Sequence, residues 1–410
     1  MSMDIPSAVR QVAESLDDVP AYVYDLAGLA RHAAAVRAAL AGTELCYAVK
    51  ANPDPEVLRV LAPYADGFEV SSGGEFEHVR ALLPDAPLSF GGPGKTGAEL
   101  ALAPSAHRWH VESPAELRRL RGPADVLLRV NLDVPVTGAA LAMGGGATPF
   151  GMDPDGVAEC LALLAHSTPG DAASDGIPRR RSGGLSRRLP GPVSADVSAD
   201  VSGGLSGEPD GRGALRLRGV HAHLASGLAA PDLLTLAEAV LAYGRSLGLR
   251  EFNLGGGMAV SYMRPEERFD WAAYGAGLRE LARPGETLRV EPGRALTAYC
   301  GWYLTTVLDV KRVHGERFAV LSGGTHHLRT PVTKGHDQPF AVLPRSGKGE
   351  DGPVTLVGRL CTPKDVFARR VTAALAVGDV VAFAMAGAYA WNISHHDFLM
   401  HPKPEFHYLS

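Results

Sequence analysis

The chain has 410 residues, of which 46% are hydrophobic and 21% charged, a composition typical of a globular protein with a large core. Its formal net charge of -5 gives no overall sign of binding to nucleic acid or to an anionic membrane. No apolar run reaches the roughly 18 residues that a membrane helix needs. The four cysteines form no CxxC pair and the first residues lack a signal-peptide pattern, so we expect a cytoplasmic protein.

A strand-like segment, Pro20–Leu26, comes first, and from about residue 43 to 293 short β-rich segments then alternate with helix-like stretches. Several strand segments are apolar on both faces, which is typical of parallel strands covered by helices. The stretches between them have apolar residues spaced by three or four. Eight strands in this alternation predict a (β/α)8 barrel. They are Leu45–Val49, Gly67–Ser71, Leu88–Phe90, Arg108–Val111, Val126–Val130, Leu217–His221, Glu251–Leu254 and Leu288–Val290.

After about residue 295, Val, Thr and Gly become frequent and helical patterns scarce, which predicts a C-terminal β-sandwich or partial β-barrel domain. We assign residues 27–295 to the barrel and residues 1–26 with 296–410 to the β domain. Its predicted strands are Leu304–Arg312, Phe318–Leu321, Val354–Val357 and Val380–Ala384. A segment rich in Gly, Pro and Ser, about 167–213, predicts a disordered insertion, either a solvated tether or an interaction tail.

Catalytic groups of such barrels lie at the carboxyl ends of the strands. Lys50 follows the first strand; a lysine there is either exposed or desolvated, and a desolvated amine has a lowered pKa and can form an imine. Gly255–Gly257 follows the seventh strand and Arg294 the eighth, the two loops that frequently bind phosphate. Glu291 adds a carboxylate between them. Together these groups match what pyridoxal phosphate (PLP) requires.

Six motifs in the same order resemble those of the fold-type III PLP-dependent decarboxylases, which include the ornithine and diaminopimelate decarboxylases. The resemblance covers nearly the whole chain except the insertion, and it implies an alanine-racemase-like barrel. The motifs are Tyr47–Asn52, Gly67–Ser72 through Glu75, His221–His223 with Ser226-Gly227, Gly255–Gly257, Glu291–Arg294, and Gly358–Cys361 with Asp365 followed by Gly387–Tyr389.

The resemblance implies that Lys50 carries the cofactor, Glu291 contacts its pyridine nitrogen and His223 stacks on its ring. His221 is the alternative, because the two histidines alternate along a strand and would point to opposite faces. Cys361 would donate the proton that replaces CO2, from the partner subunit of a homodimer. The implied cofactor contacts are Lys50, Glu69, Arg129, His223, Ser226, Gly255, Gly256, Gly257, Glu291, Gly293, Arg294 and Tyr389.

The chain departs from the ornithine and diaminopimelate enzymes at Thr362, where those enzymes have an acidic residue that faces the distal ammonium of the substrate. The loop after residue 323 is basic where a diamine enzyme would be acidic. Opposite charge favours binding, so we expect a carboxylate-bearing or conjugated substrate, as in the siderophore and natural-product branch that this part of the chain resembles. The predicted substrate contacts are Arg329, Lys334, His336, Thr362 and Asp365.

Three alternatives remain: a basic amino acid decarboxylase, an amino acid racemase on the same fold, or a non-catalytic regulator. Glu291 and Cys361 argue against racemisation, and the retained cofactor motifs argue against a regulator. Histidines such as His326, His327 and His336 lack a recognised zinc-ligand spacing, so we predict no metal.

Overall fold

The computed structural model describes residues 5–17, 19–134, 141–142, 144–165, 215–329, 335–345, 347 and 349–410. The predicted insertion at about 167–213 and the predicted substrate contact Lys334 lie outside the described residues.

Eight parallel strands close a barrel, and each pairs with the next along the chain until the last pairs with the first. All eight predicted strands are present, with ends shifted by at most two residues, and the predicted fold is confirmed. The barrel strands are β2 (Glu44–Ala48), β3 (Gly67–Val70), β4 (Leu88–Phe90), β5 (Arg108–Val111), β6 (Ala124–Arg129), β8 (Leu215–His221), β10 (Glu251–Asn253) and β11 (Thr287–Val290).

Helices follow most of the barrel strands, and local capping fixes where several begin. Asp25 accepts a hydrogen bond from the Gly28 amide (2.7 Å) at the start of one helix, and Ser72 accepts one from the Glu75 amide (3.2 Å) at another. The helices are Ser7–Ser15, Leu26–Ala39, Pro55–Leu61, Gly73–Leu82, Gly97–Leu100, Pro114–Arg119, Pro154–Ala165, Ala230–Ser246, Trp271–Leu281 and Arg294–Thr297. Among the described residues, no helix is long and apolar enough to cross a membrane.

The second domain is an eight-stranded sheet that includes β1 (Ala21–Asp25) from the other end of the chain. Its other strands are β12 (Gly301–Val313), β13 (Glu316–Leu321), β14 (Phe340–Leu343), β15 (Pro353–Val357), β16 (Val366–Thr372), β17 (Val380–Phe383) and β18 (Glu405–Leu409). Strand β1 pairs antiparallel with β12 and parallel with β18, so the N-terminal segment joins this sheet. Two short strands, β7 (Leu141–Ala142) and β9 (Ala225–Ser226), pair at the barrel mouth.

The sequence missed β14, β16 and β18, whose burial is only partial. A strand that mixes buried and exposed positions without regular alternation lacks the pattern on which the prediction depends. The first barrel strand also ends one residue earlier than predicted, because Val49–Ala51 forms a 3-10 turn. That turn carries Lys50.

Candidate active site

Lys50 lies opposite a buried carboxylate at the end of the neighbouring strand. Its Nζ forms an ion pair with Glu69 and lies 3.5 Å from the Ser71 hydroxyl. Partial desolvation lowers the pKa of Lys50, but the Glu69 carboxylate outweighs it, and the pKa is raised above its ordinary value. The Lys50 side chain is 44% exposed. Of the two states that the sequence left open, the structure therefore shows the exposed, protonated lysine, because β3 places a counter-charge beside the amine.

Glu291 is buried directly after β11 and is held by two side chains. Its Oε1 accepts a hydrogen bond from Asn253 Nδ2 (2.6 Å), and its Oε2 lies 3.2 Å from His221 Nε2. Burial lowers the pKa of His221 well below its ordinary value, so the ring is neutral and donates to Glu291 through Nε2. Glu291 thus has a fixed orientation in the barrel mouth.

The His221 ring stacks on that of His110, with ring centroids 4.2 Å apart and an interplanar angle of 12°. Burial also lowers the pKa of His110 well below its ordinary value. His110, His221 and Glu291 offer ligand atoms within 4.8 Å of one another. Because the two imidazoles are nearly parallel, their lone pairs do not point to a common centre, which disfavours a metal ion between them.

His223 contacts the glycine turn. Its Nδ1 accepts a hydrogen bond from the Gly256 amide (3.0 Å), and its Nε2 lies 3.2 Å from the Ser226 hydroxyl. Burial lowers the pKa of His223 to about 4. Strand β8 ends at His221, so the alternation predicted for the two histidines stops there, and both rings contact residues of the barrel mouth.

The three glycines let neighbouring backbone approach more closely than any side chain would permit. A Cβ atom on Gly256 would lie 2.6 Å from the backbone oxygen of Glu291, and one on Gly257 would lie 2.3 Å from that of Ala225. The amides of Gly255 and Gly256 are already donated, to Asn253 Oδ1 (3.0 Å) and to His223. These two glycines therefore shape the turn more directly than they offer amides to an anion.

Arg294 begins the short helix after β11 and is oriented by two tyrosines. Its NH1 donates to the Tyr262 hydroxyl (2.9 Å), and its guanidinium carbon lies 4.4 Å from the centroid of the Tyr389 ring. Tyr389 has a left-handed backbone conformation, with φ of 48°. The β domain thus brings one predicted cofactor residue against another that comes from the barrel.

Arg129, at the end of β6, donates from NH1 to Glu112 Oε1 (2.6 Å) and lies over the Phe150 ring at 5.1 Å. The positive charges of Arg129 and Lys50 each help to lower the pKa of His221 and His223. A mouth with these cations suits an anionic phosphate, and the fixed Glu291 carboxylate suits a protonated pyridine nitrogen. The residues present therefore fit PLP.

The predicted substrate contacts that the structure describes have different surroundings. Arg329 is exposed and binds the 393–394 segment, its amide donating to Ser394 Oγ (3.2 Å). His336 instead stacks on Tyr262, with ring centroids 4.9 Å apart, on the Arg294 side. Cys361 is exposed and Thr362 is half-buried.

Asp365 has a different surrounding from the one predicted. Its Oδ1 accepts a hydrogen bond from the Thr325 amide (2.6 Å) and its Oδ2 one from the Leu360 amide (2.7 Å). A buried carboxylate with both oxygens bound to backbone amides holds two loops together. Asp365 therefore anchors two loops, and its contact with the substrate stays a prediction.

The sequence missed Asn253, His110, Glu112 and Tyr262. Asn253 is the last residue of β10, and site residues of such barrels lie at the carboxyl ends of strands, so its position could have been predicted. His110 lies one residue before the end of its strand, and Glu112 just after it. Tyr262 lies in a loop without a recognised pattern, so only the folded chain brings it to Arg294.

The family model described as pyridoxal-dependent decarboxylase, C-terminal sheet domain, matches residues 21–387. The chain belongs to this family. As a member, it is a PLP-dependent decarboxylase, as the motifs predicted.

Curated relatives match over nearly the full length of the chain. The 2-[(L-alanin-3-ylcarbamoyl)methyl]-2-hydroxybutanedioate decarboxylase of Staphylococcus aureus is 35% identical and is matched over 99% of this chain and 98% of its own. The diaminopimelate decarboxylase of Pseudomonas aeruginosa is 31% identical over 94% and 86%. The L-glutamyl-[BtrI acyl-carrier protein] decarboxylase of Niallia circulans is 27% identical over 94% and 88%.

Solved structures of this decarboxylase family show the same fold. The diaminopimelate decarboxylase of Helicobacter pylori, complexed with L-lysine, superposes with a TM-score of 0.79 at 23% identity, over 98% of this chain and 94% of that one. The lysine/ornithine decarboxylase of Vibrio vulnificus, complexed with putrescine, gives 0.73 at 18% identity, over 98% and 97%.

Proposed function

We propose that this decarboxylase acts on an α-amino acid moiety whose distal part bears carboxylate groups, in siderophore or related natural-product biosynthesis. The observation that carries the proposal is a set of basic side chains in the β domain near Cys361. We call it the basic cluster, and it consists of Arg329, Arg359, His326, His395 and His401.

The members of the basic cluster act on one another electrostatically. Burial is the main cause that lowers the pKa of His395 and that of His401. The second cause is the charge of Arg329 for His395 and the charge of Arg359 for His401. His326 and His401 have ring centroids 5.3 Å apart. An anion bound beside these side chains would favour their protonated, positively charged forms, whereas a cation would oppose them. The basic cluster therefore favours a carboxylate over an ammonium.

Asp365 is the carboxylate that acts on His395 and His401, and both of its oxygens are bound to backbone amides. His326 is fully buried, and neither ring nitrogen has a hydrogen-bond partner among the described residues. A distal ammonium would therefore meet arginines and histidines rather than an available carboxylate. The names of two relatives agree with this preference, since one acts on a butanedioate and the other on a glutamyl conjugate.

The site residues have the following proposed roles. Lys50 would hold the cofactor covalently, Glu291 would face its pyridine nitrogen, and His223 would lie against its ring. The phosphate would be bound by Ser226, Arg294 and the backbone near Gly257 and Gly293, with Tyr389, Arg129 and Glu69 around them. PLP held by these residues would supply the electron sink that lets the bond between the substrate α-carbon and its carboxylate break with loss of CO2.

The carbon that loses CO2 must then receive a proton, and we propose that Cys361 donates it. Cys361 is exposed in the single chain. An exposed thiol can approach a reacting carbon in this way when a second subunit covers it. We therefore propose a homodimer in which the cysteine of one subunit completes the site of its partner.

The test is a substrate panel with the protein and PLP. We expect CO2 release from the citryl-type conjugate named for the staphylococcal relative to exceed that from diaminopimelate, ornithine or lysine. Arg359→Gln and Arg329→Gln should raise KM for the conjugate by roughly tenfold each, the loss expected for a charge-assisted contact. Arg312→Gln, which removes a surface pair with Glu350, is the matched control and should change nothing.

Efficient turnover of ornithine, lysine or diaminopimelate, with little activity on the conjugate, would refute the proposal. Diaminopimelate is the second candidate, because a diaminopimelate decarboxylase is 31% identical to this chain. Its distal end carries both a carboxylate and an ammonium, so the basic cluster would satisfy only half of it. The arginine variants separate the candidates, since they should affect the conjugate more than diaminopimelate.

A further inference from the structure

Asn253 connects two parts of the active site that would contact opposite ends of the cofactor. Its side chain is fully buried at the end of β10. Nδ2 donates to Glu291 Oε1 (2.6 Å), and Oδ1 accepts from the Gly255 amide (3.0 Å). One side chain thus joins the carboxylate after β11 to the glycine turn after β10.

The amide is the one side-chain type of this size that makes both bonds without sharing a proton. Glu291 offers an acceptor and needs a donor, whereas the Gly255 amide offers a donor and needs an acceptor. Aspartate has the same shape but offers acceptors on both sides when ionised. Leucine would leave both buried partners unsatisfied.

The backbone adds a second connection between the same segments, since the Glu291 amide donates to the Gly255 backbone oxygen (2.7 Å). The Ala222 amide, after β8, donates to the Asn253 backbone oxygen (2.8 Å). Neutral His221 donates to the other oxygen of Glu291. Glu291 can therefore move only if Asn253 and the turn move with it.

We infer that Asn253 is a positioning residue, which fixes Glu291 and the glycine turn as one unit and so sets the spacing between the groups that bind the pyridine nitrogen and the phosphate. This inference rests on the roles proposed above for Glu291 and the turn. It does not depend on which amino acid moiety is decarboxylated.

The test compares PLP affinity of apo-protein across pH in Asn253→Asp and in the natural protein. In Asn253→Asp, the Gly255 contact is kept, but two carboxylates face each other at the distance of a hydrogen bond. Such a pair holds one proton between its members and loses it as the pH rises. We expect PLP affinity to be at least tenfold weaker at pH 8 and to recover towards pH 6.

The groups that face residue 253 are Glu291, His110 and His221; His110 Nε2 lies 3.4 Å from Asn253 Nδ2. The charges of Lys95 and Arg289 also lower the pKa of His110, after burial as the main cause. All are present both in the natural protein and in Asn253→Asp, so a new pH dependence in Asn253→Asp reports the added carboxylate. The matched control is Asn131→Asp: Asn131 also accepts from a glycine amide, that of Gly145, but its Nδ2 donates to the Gly146 backbone oxygen and not to a carboxylate.

A second variant distinguishes positioning from a merely structural role. Asn253→Asp combined with Glu291→Gln restores one donor and one acceptor with the roles exchanged. We expect it to recover thermal stability and to lose the pH dependence of PLP affinity, while the absorbance of the bound cofactor changes because no carboxylate faces its pyridine nitrogen.

Unchanged PLP affinity in Asn253→Asp, or a loss of affinity that is the same at every pH, would overturn the inference. If the single variant does not fold, failure of the double variant to recover folding would overturn it as well. If the natural protein binds PLP and releases CO2 while these results fail, the inference is wrong and the proposed function stands. If Lys50→Ala leaves the bound-cofactor absorbance intact, the proposed site itself is wrong.

Discussion

Asn392 donates a hydrogen bond from Nδ2 to the carbonyl oxygen of Lys50, at 2.8 Å. The two residues belong to different domains, and neighbouring bonds strengthen the connection. The Tyr389 amide donates to the Ala51 oxygen (2.7 Å), and Asn52 Nδ2 donates to the Gly387 oxygen (3.0 Å). The turn that carries Lys50 is therefore held by the β domain.

Removing this contact should weaken binding of the cofactor. Asn392→Ala leaves the Lys50 carbonyl without this donor, at a cost of about 1 kcal/mol, which corresponds to roughly a fivefold weaker PLP affinity. Titration of apo-protein with PLP, followed by absorbance, measures the effect. Asn392→Asp, which keeps the shape and loses the donor, should behave alike; natural affinity in both variants would show that the contact does not position Lys50.

The ion pair between Lys50 and Glu69 should set the pH at which the lysine reacts. Glu69 raises the pKa of Lys50, and attachment of PLP needs the neutral amine. In Glu69→Gln the Lys50 pKa falls, so the pH dependence of the attachment rate should shift to lower pH. Stopped-flow absorbance across a pH range of about 6–10, on either side of neutrality, measures it. A shift to higher pH would mean that Glu69 acts chiefly as the base that takes the proton from Lys50.

Buried histidines of the β domain should make the protein sensitive to acid. Burial, followed by His326, lowers the pKa of His327 to about 3, and burial lowers that of His326 to about 4. The unfolded chain takes up protons near pH 6.5, whereas the folded one stays neutral. The free energy of unfolding should therefore fall as the pH drops from about 6.5 towards 4, by up to roughly 1.4 kcal/mol per pH unit for each histidine.

Urea unfolding at pH 7 and pH 5 measures this loss. His326→Gln removes one titrating group, so its stability should fall less between the two values of pH. His314→Gln is the control, because His314 is exposed in a turn of the sheet. Equal losses in the natural protein and in His326→Gln would contradict the assignment.

Mixing two inactive variants should restore activity if sites are shared between subunits. Lys50→Ala removes the proposed cofactor lysine, and Cys361→Ala the proposed proton donor. Random exchange of subunits gives a mixed dimer with one intact site, so about a quarter of the natural activity should return. Assays after co-refolding, with size-exclusion chromatography of each sample, measure it. No gain in activity from a mixed dimer would place both residues in the same subunit's site.

The fold was predictable because barrel strands leave a local pattern. Runs buried on both faces, such as Val126–Leu128, are apolar throughout, and the ends of these strands mark the mouth of the barrel. The position of Glu291 and of the glycine turn followed from that rule. The sign of the Lys50 pKa shift did not, because it depends on the distance to Glu69, which the sequence does not contain.

The surroundings of the predicted substrate contacts were less predictable, because they too depend on distances that the sequence does not contain. His336 and Asp365 were predicted to contact the substrate; in the folded chain His336 stacks on Tyr262 and Asp365 binds backbone amides. Composition of a loop indicates its overall charge, but not which side chains the loop uses to hold itself together. The basic cluster could not be predicted, because it forms only where the folded chain brings the 323–329 and 394–401 segments together.

Strand β1 lies between β12 and β18, so the first strand of the chain depends on the last one for the pairing along one of its edges. The barrel can form from neighbouring β–α units, whereas this sheet closes only after distant segments meet, which is slow. A nascent chain would therefore have a formed barrel before the sheet of the second domain is complete. We expect loss of β18 to impair cofactor retention before it impairs the barrel.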